Sequence, residues 1–190
     1  MENIMSKYQD TYRMESSRLR NWDYGSPGAY FVTICTNKMH CWFGDICDGQ
    51  MQLSKAGIIA NDLWLNIKNH TDNIELAEYV IMPNHVHGII LIKNNTYKKQ
   101  GNSPTGKKSN SFPKISPRSG TLSAIIRSYK SAVSKQLHSM GYDFQWQTRF
   151  YDHIIHSNES YMKISDYILN NPLKWEEDEL YISRSDTDKR

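Results

Sequence analysis

The sequence predicts an α+β domain in which helices pack on one face of a mainly antiparallel sheet. Three observations lead there. Residues 29–36, 74–81 and 85–92 are short runs dense in β-branched, aromatic and other apolar residues, the composition of strands. Three further segments carry apolar residues at helical spacing behind a capping residue. The elements follow one another as strand, helix, strand, strand, helix, strand, helix, an α+β order.

Residues 1–28 read as a polar extension that ends in the turn signal Gly25-Ser26-Pro27-Gly28. The domain proper is expected over 29–178, opening with the strand Tyr30-Phe31-Val32-Thr33-Ile34. Ser54 caps a predicted helix over 55–68, with Ile59, Leu63 and Ile67 stacked four apart. Pro83-Asn84 marks a tight bend between the two strands that follow. Residues 97–120 hold six bases, no acid and few apolar residues, so a flexible basic loop is expected there. Thr121 caps a second helix whose buried stripe is Leu122, Ile125, Ile126, Tyr129, Val133 and Leu137. Arg127 and Lys130 fall on its outer side. Residues 144–155 read as a loop entering a strand. The last helix starts at Ser157 or Asn158 and stops near Pro172, because the residue before a proline is pushed out of the α region. Residues 179–190 read as a polar tail.

The chain has 190 residues and a formal net charge of +3. From Trp175 onward six acids face three bases, so the rest of the chain carries 20 bases against 14 acids. That balance permits a polyanionic partner without demanding one. The three cysteines form no CxxC pair, which argues against a disulfide framework or a four-cysteine zinc site and fits reduced thiols in a cytoplasmic protein. There is no apolar run of the ~20 residues needed to span a bilayer, so no membrane partner is expected. The first 20 residues lack the apolar core of a signal peptide.

The most informative stretch is Met82-Pro83-Asn84-His85-Val86-His87-Gly88. On a strand, positions i and i+2 share a face, so His85 and His87 project together and offer two imidazoles to one divalent metal. They are expected to be surface ligands, removable without harm to the fold. On the last helix Tyr167 and Asn171 lie one turn apart, off the centre of the stripe Tyr161, Ile164 and Ile168. From there Asn171 could add an oxygen ligand and Tyr167 a nucleophile. A divalent cation favours attack on a phosphodiester by stabilising charge that grows on the phosphoryl group. Attack by a phenol keeps the bond energy in a phosphotyrosine ester, so the strand can be rejoined without a nucleotide triphosphate. Each motif alone has a bland reading: a packed histidine pair, a half-buried tyrosine, a helix stop.

Taken together, Met82-Pro83-Asn84-His85-Val86-His87, Tyr129-Lys130-Ser131, Trp146-Gln147, Phe150-Tyr151-Asp152-His153 and Tyr167-Ile168-Leu169-Asn170-Asn171-Pro172 resemble the REP-associated tyrosine transposases of the single-tyrosine HUH class. The likeness runs over about residues 29–178. It implies a ferredoxin-like HUH endonuclease fold. It also implies Mg²⁺ or Mn²⁺ at His85 and His87, and Tyr167 as the nucleophile on single-stranded or hairpin DNA. Insertion-sequence relatives carry a glutamine where Asn171 stands, a side chain one methylene longer. Lys98, Lys99, Lys107 and Lys108 in the loop, with Arg127 and Lys130, are expected to meet phosphates, and Trp146 and Tyr151 to stack on unpaired bases. A homodimer is left open. The alternative is a catalytically silent hairpin-DNA-binding protein; a hydrolase of small phosphoesters would leave Tyr167 and the basic loop without a role.

Overall fold

The computed structural model describes residues 5–8, 11–14, 22–71, 73–93 and 120–182. Most of the predicted basic loop, with Lys98, Lys99, Lys107 and Lys108, lies outside the described residues, as does the tail beyond 182. Two short strands, β1 (Met5–Tyr8) and β2 (Thr11–Met14), pair antiparallel. Then come β3 (Gly28–Cys35), the hairpin β4 (Gly44–Cys47) and β5 (Gln50–Leu53), α1 (Lys55–Leu65), β6 (Ile74–Ile81), β7 (His85–Ile92), α2 (Leu122–Ser139), β8 (Tyr151–Ile155) and α3 (Asn158–Asn170). The central sheet runs β6-β7-β3-β8 and is antiparallel throughout.

The caps fall where the residue types put them. Ser54 accepts from the Gly57 amide, Thr121 from Ala124 and Ser157 from Ser160, each satisfying an N–H that a helix start leaves unpaired. The hairpin β4–β5 was not foreseen. Its turn is Asp48-Gly49, both with positive φ (51° and 71°), the Asp-Gly pair that two-residue hairpins favour.

The helices do not all share one face, contrary to the sequence-based expectation. Tyr30, Val32, Ile34, Val86, Ile90 and Ile92 face α1 and α2 and form the main core with Ala60, Trp64, Ile126, Val133 and Leu137. Phe31 and Ile89 point the other way, to α3, around Ile168. The reason lies in β3 and β7, which are buried on nearly every residue. A strand apolar on both sides needs cover on both sides. The histidines share the α3 face.

Gly88 follows the histidines for a packing reason. A Cβ there would stand 2.3 Å from Trp64 Cζ2, on the α1 face. Gly88→Ala is therefore expected to destabilise the domain by about 1–3 kcal/mol, as overpacked cores do, read as a lower midpoint in chemical denaturation.

The C-terminal segment is part of the domain. Pro172–Glu177 forms a 3₁₀ helix that buries Trp175. Leu180, assigned from sequence to a polar tail, is buried against Cys35 and Met39, with Ile182 beside them. None of the three cysteines is in a disulfide. Among the described residues no helix is long and apolar enough to cross a membrane.

Candidate metal and nucleophile site

The site is built where β7 meets α3. His85 and His87 project from one face of β7 with ring centroids 4.3 Å apart. The expectation of surface ligands is corrected: they are 0% and 1% exposed, covered by Tyr167 and Trp175, whose rings lie 5.2 Å from His87 and 5.9 Å from His85. Strand alternation told which face they take, but not that α3 and the 3₁₀ turn close over it.

Each ring is held from behind. Thr33, directly opposite His87 in the β3–β7 register, places its Oγ1 2.9 Å from His87 Nδ1. Asn84 Oδ1 lies 2.8 Å from His85 Nδ1. The Asn84 amide nitrogen donates to the Leu180 carbonyl at 2.9 Å, which fixes which end of the carboxamide faces the ring. An oxygen there can only accept, so His85 Nδ1 carries the proton and Nε2 holds a lone pair. That Nε2 is buried and has no hydrogen-bond partner.

Tyr167, on α3, reaches both sides of the site. Its hydroxyl lies 3.1 Å from His87 Nε2 and donates to Asp178 Oδ2, also at 3.1 Å. Asp178 further accepts from the Asn171 amide on Oδ2 and from the Leu180 N–H, at 2.7 Å, on Oδ1. Asn171 is 2% exposed, and its Oδ1 is the second buried orphan of this site. Among the described residues, His85, His87 and Asp178 form a group whose ligand atoms lie within 4.8 Å of one another. Asp178 was not foreseen. In the sequence it stands in the acidic run Glu176-Glu177-Asp178-Glu179, which reads as a solvated surface; only the 3₁₀ turn folds it back onto the helix.

The electrostatics suit metal ligands. Burial pushes the His85 imidazole down to about 3. His87 is held well below its ordinary value by burial and by His85, with Asp178 opposing. Both rings are thus neutral, the form that binds metal. The Tyr167 phenol is raised by burial and then by the Asp178 carboxylate. Two imidazole nitrogens, a carboxylate and an orphaned amide oxygen fit a divalent ion that accepts mixed nitrogen and oxygen donors. An open cleft of about 370 Å³ borders Tyr167, Asn171 and Asp178, with Lys163 and Lys174 in its lining.

Neutral buried histidines carry a pH signature. In the unfolded chain they protonate near ~6.5, whereas the folded value of His85 is about 3. Below ~6.5 the unfolded state binds more protons, so stability falls as the pH drops toward the folded value. The metal-free protein is expected to lose on the order of 1 kcal/mol per pH unit below ~6 from His85 alone. His85→Gln should flatten that slope in melts run between pH 7 and 5.

Not every expected residue joins the site. Trp146 is half-buried against the core on the opposite face of the sheet, beside Phe43, Phe144 and Tyr129, and its Nε1 donates to the Lys130 carbonyl. Lys130 is half-buried rather than on the wet side: its ammonium donates to the carbonyls of Gln147 and Arg149, and burial lowers it to about 8. A helical wheel placed it on the wet side, but its four-carbon stem reaches back to a neighbouring loop. Arg127 is exposed on α2, also across the sheet from Tyr167. Tyr151 is half-buried with its edge on Phe31, and Tyr161 donates to Glu78.

A scan against models of protein families gives no match. An uncharacterized protein of Haemophilus influenzae is 38% identical over 172 residues, covering 90% of this chain and 94% of that one. The chain belongs to the family of that protein. Its fold is that of a REP-associated tyrosine transposase solved in complex with a REP hairpin. The two superpose with a TM-score of 0.55 at 19% identity, over 84% of this chain and 74% of the transposase. The α+β architecture expected from sequence thus stands, with helices on both faces of its sheet.

Proposed function

We propose that this chain is a metal-dependent, single-strand DNA endonuclease and strand transferase acting on hairpin or repeat DNA through a 5′-phosphotyrosine intermediate. One observation carries the reading: the Tyr167 hydroxyl stands 3.1 Å from His87 Nε2, beside two neutral, buried imidazoles held 80 and more positions away in the sequence. A structural tyrosine would not need two histidines stripped of water around it. The likeness in fold to a transposase bound to a hairpin adds the substrate class.

In this reading His85, His87, Asp178 and Asn171 would hold Mg²⁺ or Mn²⁺. When bound, the ion supplies Lewis-acid stabilisation of charge on the scissile phosphate. Tyr167 attacks phosphorus as its phenol proton passes along the hydrogen bond to the Asp178 carboxylate, and the bond from phosphorus to the 3′ oxygen breaks, that oxygen taking a proton from solvent to leave as a free hydroxyl. The carboxylate of Asp178 orients the phenol through the hydrogen bond it accepts. Lys163 and Lys174, in the adjoining cleft, suit the phosphates flanking the cut. Lys98, Lys99, Lys107, Lys108 and Arg127 complete the proposed backbone contacts.

The test uses end-labelled hairpins with single-stranded flanks, taken from repeats around the gene. Incubation with Mn²⁺ or Mg²⁺ should give a protein–DNA adduct on denaturing gels, and a chelator should remove it. Binding without any adduct under either metal would leave the hairpin-binding alternative.

A further inference from the structure

Asn84 is fully buried, a polar side chain with no exposed surface, in the bend between β6 and β7. Its carboxamide is used at both ends. Oδ1 accepts a hydrogen bond from His85 Nδ1, and Nδ2 donates to the carbonyl of Leu180, 96 positions away. Its backbone is pinned as well: the Asn84 carbonyl accepts from the Thr36 amide at 2.9 Å and from Thr36 Oγ1 at 3.0 Å. Leu180, in turn, gives its N–H to Asp178 Oδ1 and is buried beside Cys35 and Met39.

These contacts form one chain of fixed groups. Asn84 holds the ring of His85 on its strand, and through Leu180 it holds the segment that carries Asp178. We infer that Asn84 is the positioning residue that assembles the metal site from its two remote halves. It sets the Nε2 lone pair of His85 toward the site and delivers the Asp178 carboxylate to the same point. The inference rests on the metal reading above. Asparagine is suited to the task because a short side chain with one donor and one acceptor can bridge a ring N–H and a carbonyl with little freedom to lose. Outer-shell partners of ligating histidines fix ring orientation, and their loss typically costs roughly 10–100-fold in metal affinity.

The test needs no DNA and no turnover. Mn²⁺ alone is titrated into the full chain and its free concentration followed by electron paramagnetic resonance, with amide exchange at Leu180 and Tyr181 measured in parallel. Asn84→Leu removes both hydrogen bonds; it should weaken Mn²⁺ binding by roughly 10–100-fold and speed exchange at Leu180. Asn84→Asp is nearly isosteric and keeps the acceptor for His85, but loses the donor to Leu180. It should release the segment as fully as Leu does, yet retain more Mn²⁺ affinity. If Asn84→Leu does not fold, Asn84→Asp alone decides by the same two readouts. Folded variants that bind Mn²⁺ within about twofold of wild type overturn the inference while leaving the metal reading intact; a role confined to packing predicts that result. A wild-type chain that takes up no Mn²⁺ overturns the metal reading, and the inference with it.

Discussion

Replacing Tyr167 with Phe is expected to abolish the covalent protein–DNA adduct while leaving the fold and hairpin binding unchanged. The variant deletes one oxygen. The ring keeps its edge contact with Phe31, at 6.2 Å, and its place over His87. Asp178 loses one donor but still accepts from Asn171 and from the Leu180 amide, so no buried carboxylate is stranded. A net cost of about 1 kcal/mol is therefore expected, visible as a small shift in the unfolding midpoint. The chemical effect is of another order, because among the described residues no other phenol meets the histidines. Tyr161 spends its hydroxyl on Glu78, and Tyr151 lies on β8 against Phe31. Adduct formation in the Phe variant, or a cross-linked peptide containing Tyr151 or Tyr161, would remove Tyr167 from the mechanism.

What the sequence made legible follows from the kind of information each pattern holds. Strand alternation is a local rule, so it put His85 and His87 on one face correctly. Helical spacing is local too, and it put Tyr167 and Asn171 one turn apart. Neither rule says what lies across a gap of 80 residues. The burial of the histidines, and with it their neutrality, depends on α3 packing onto their face. The doubly apolar β7 hinted at such cover, since its apolar residues run on without alternating. Asp178 was hidden for the opposite reason: its neighbours Glu176, Glu177 and Glu179 are exposed, and a charge run carries no mark of the one member that turns inward. Lys130 and Trp146 show the limit of reading chemistry from residue type. A base and an aromatic ring suit DNA, but here the lysine donates to loop carbonyls and the tryptophan packs half-buried against the core.

The second large effect is expected from Asp178→Asn, which separates the two candidate oxygen ligands. The substitution keeps size and shape and removes one negative charge. With the carboxylate gone, burial and Glu179 still raise the Tyr167 phenol but Asp178 no longer does, so the phenol should titrate at lower pH than in the wild-type chain, as read from its ultraviolet absorbance. Ease of ionisation alone would favour attack. Mn²⁺ affinity should nevertheless fall by at least about tenfold, since the site loses its only anionic donor among the grouped ligands, and adduct formation should fall with it at limiting metal. Saturating Mn²⁺ should restore part of that loss, because His85, His87 and the orphaned oxygen of Asn171 remain. Asn171→Leu is the companion: it removes that oxygen and also the amide that steadies Asp178. A wild-type affinity in Asp178→Asn together with a large loss in Asn171→Leu would assign the oxygen ligand to Asn171, the residue one helical turn from the nucleophile, and leave Asp178 as a partner of the phenol alone.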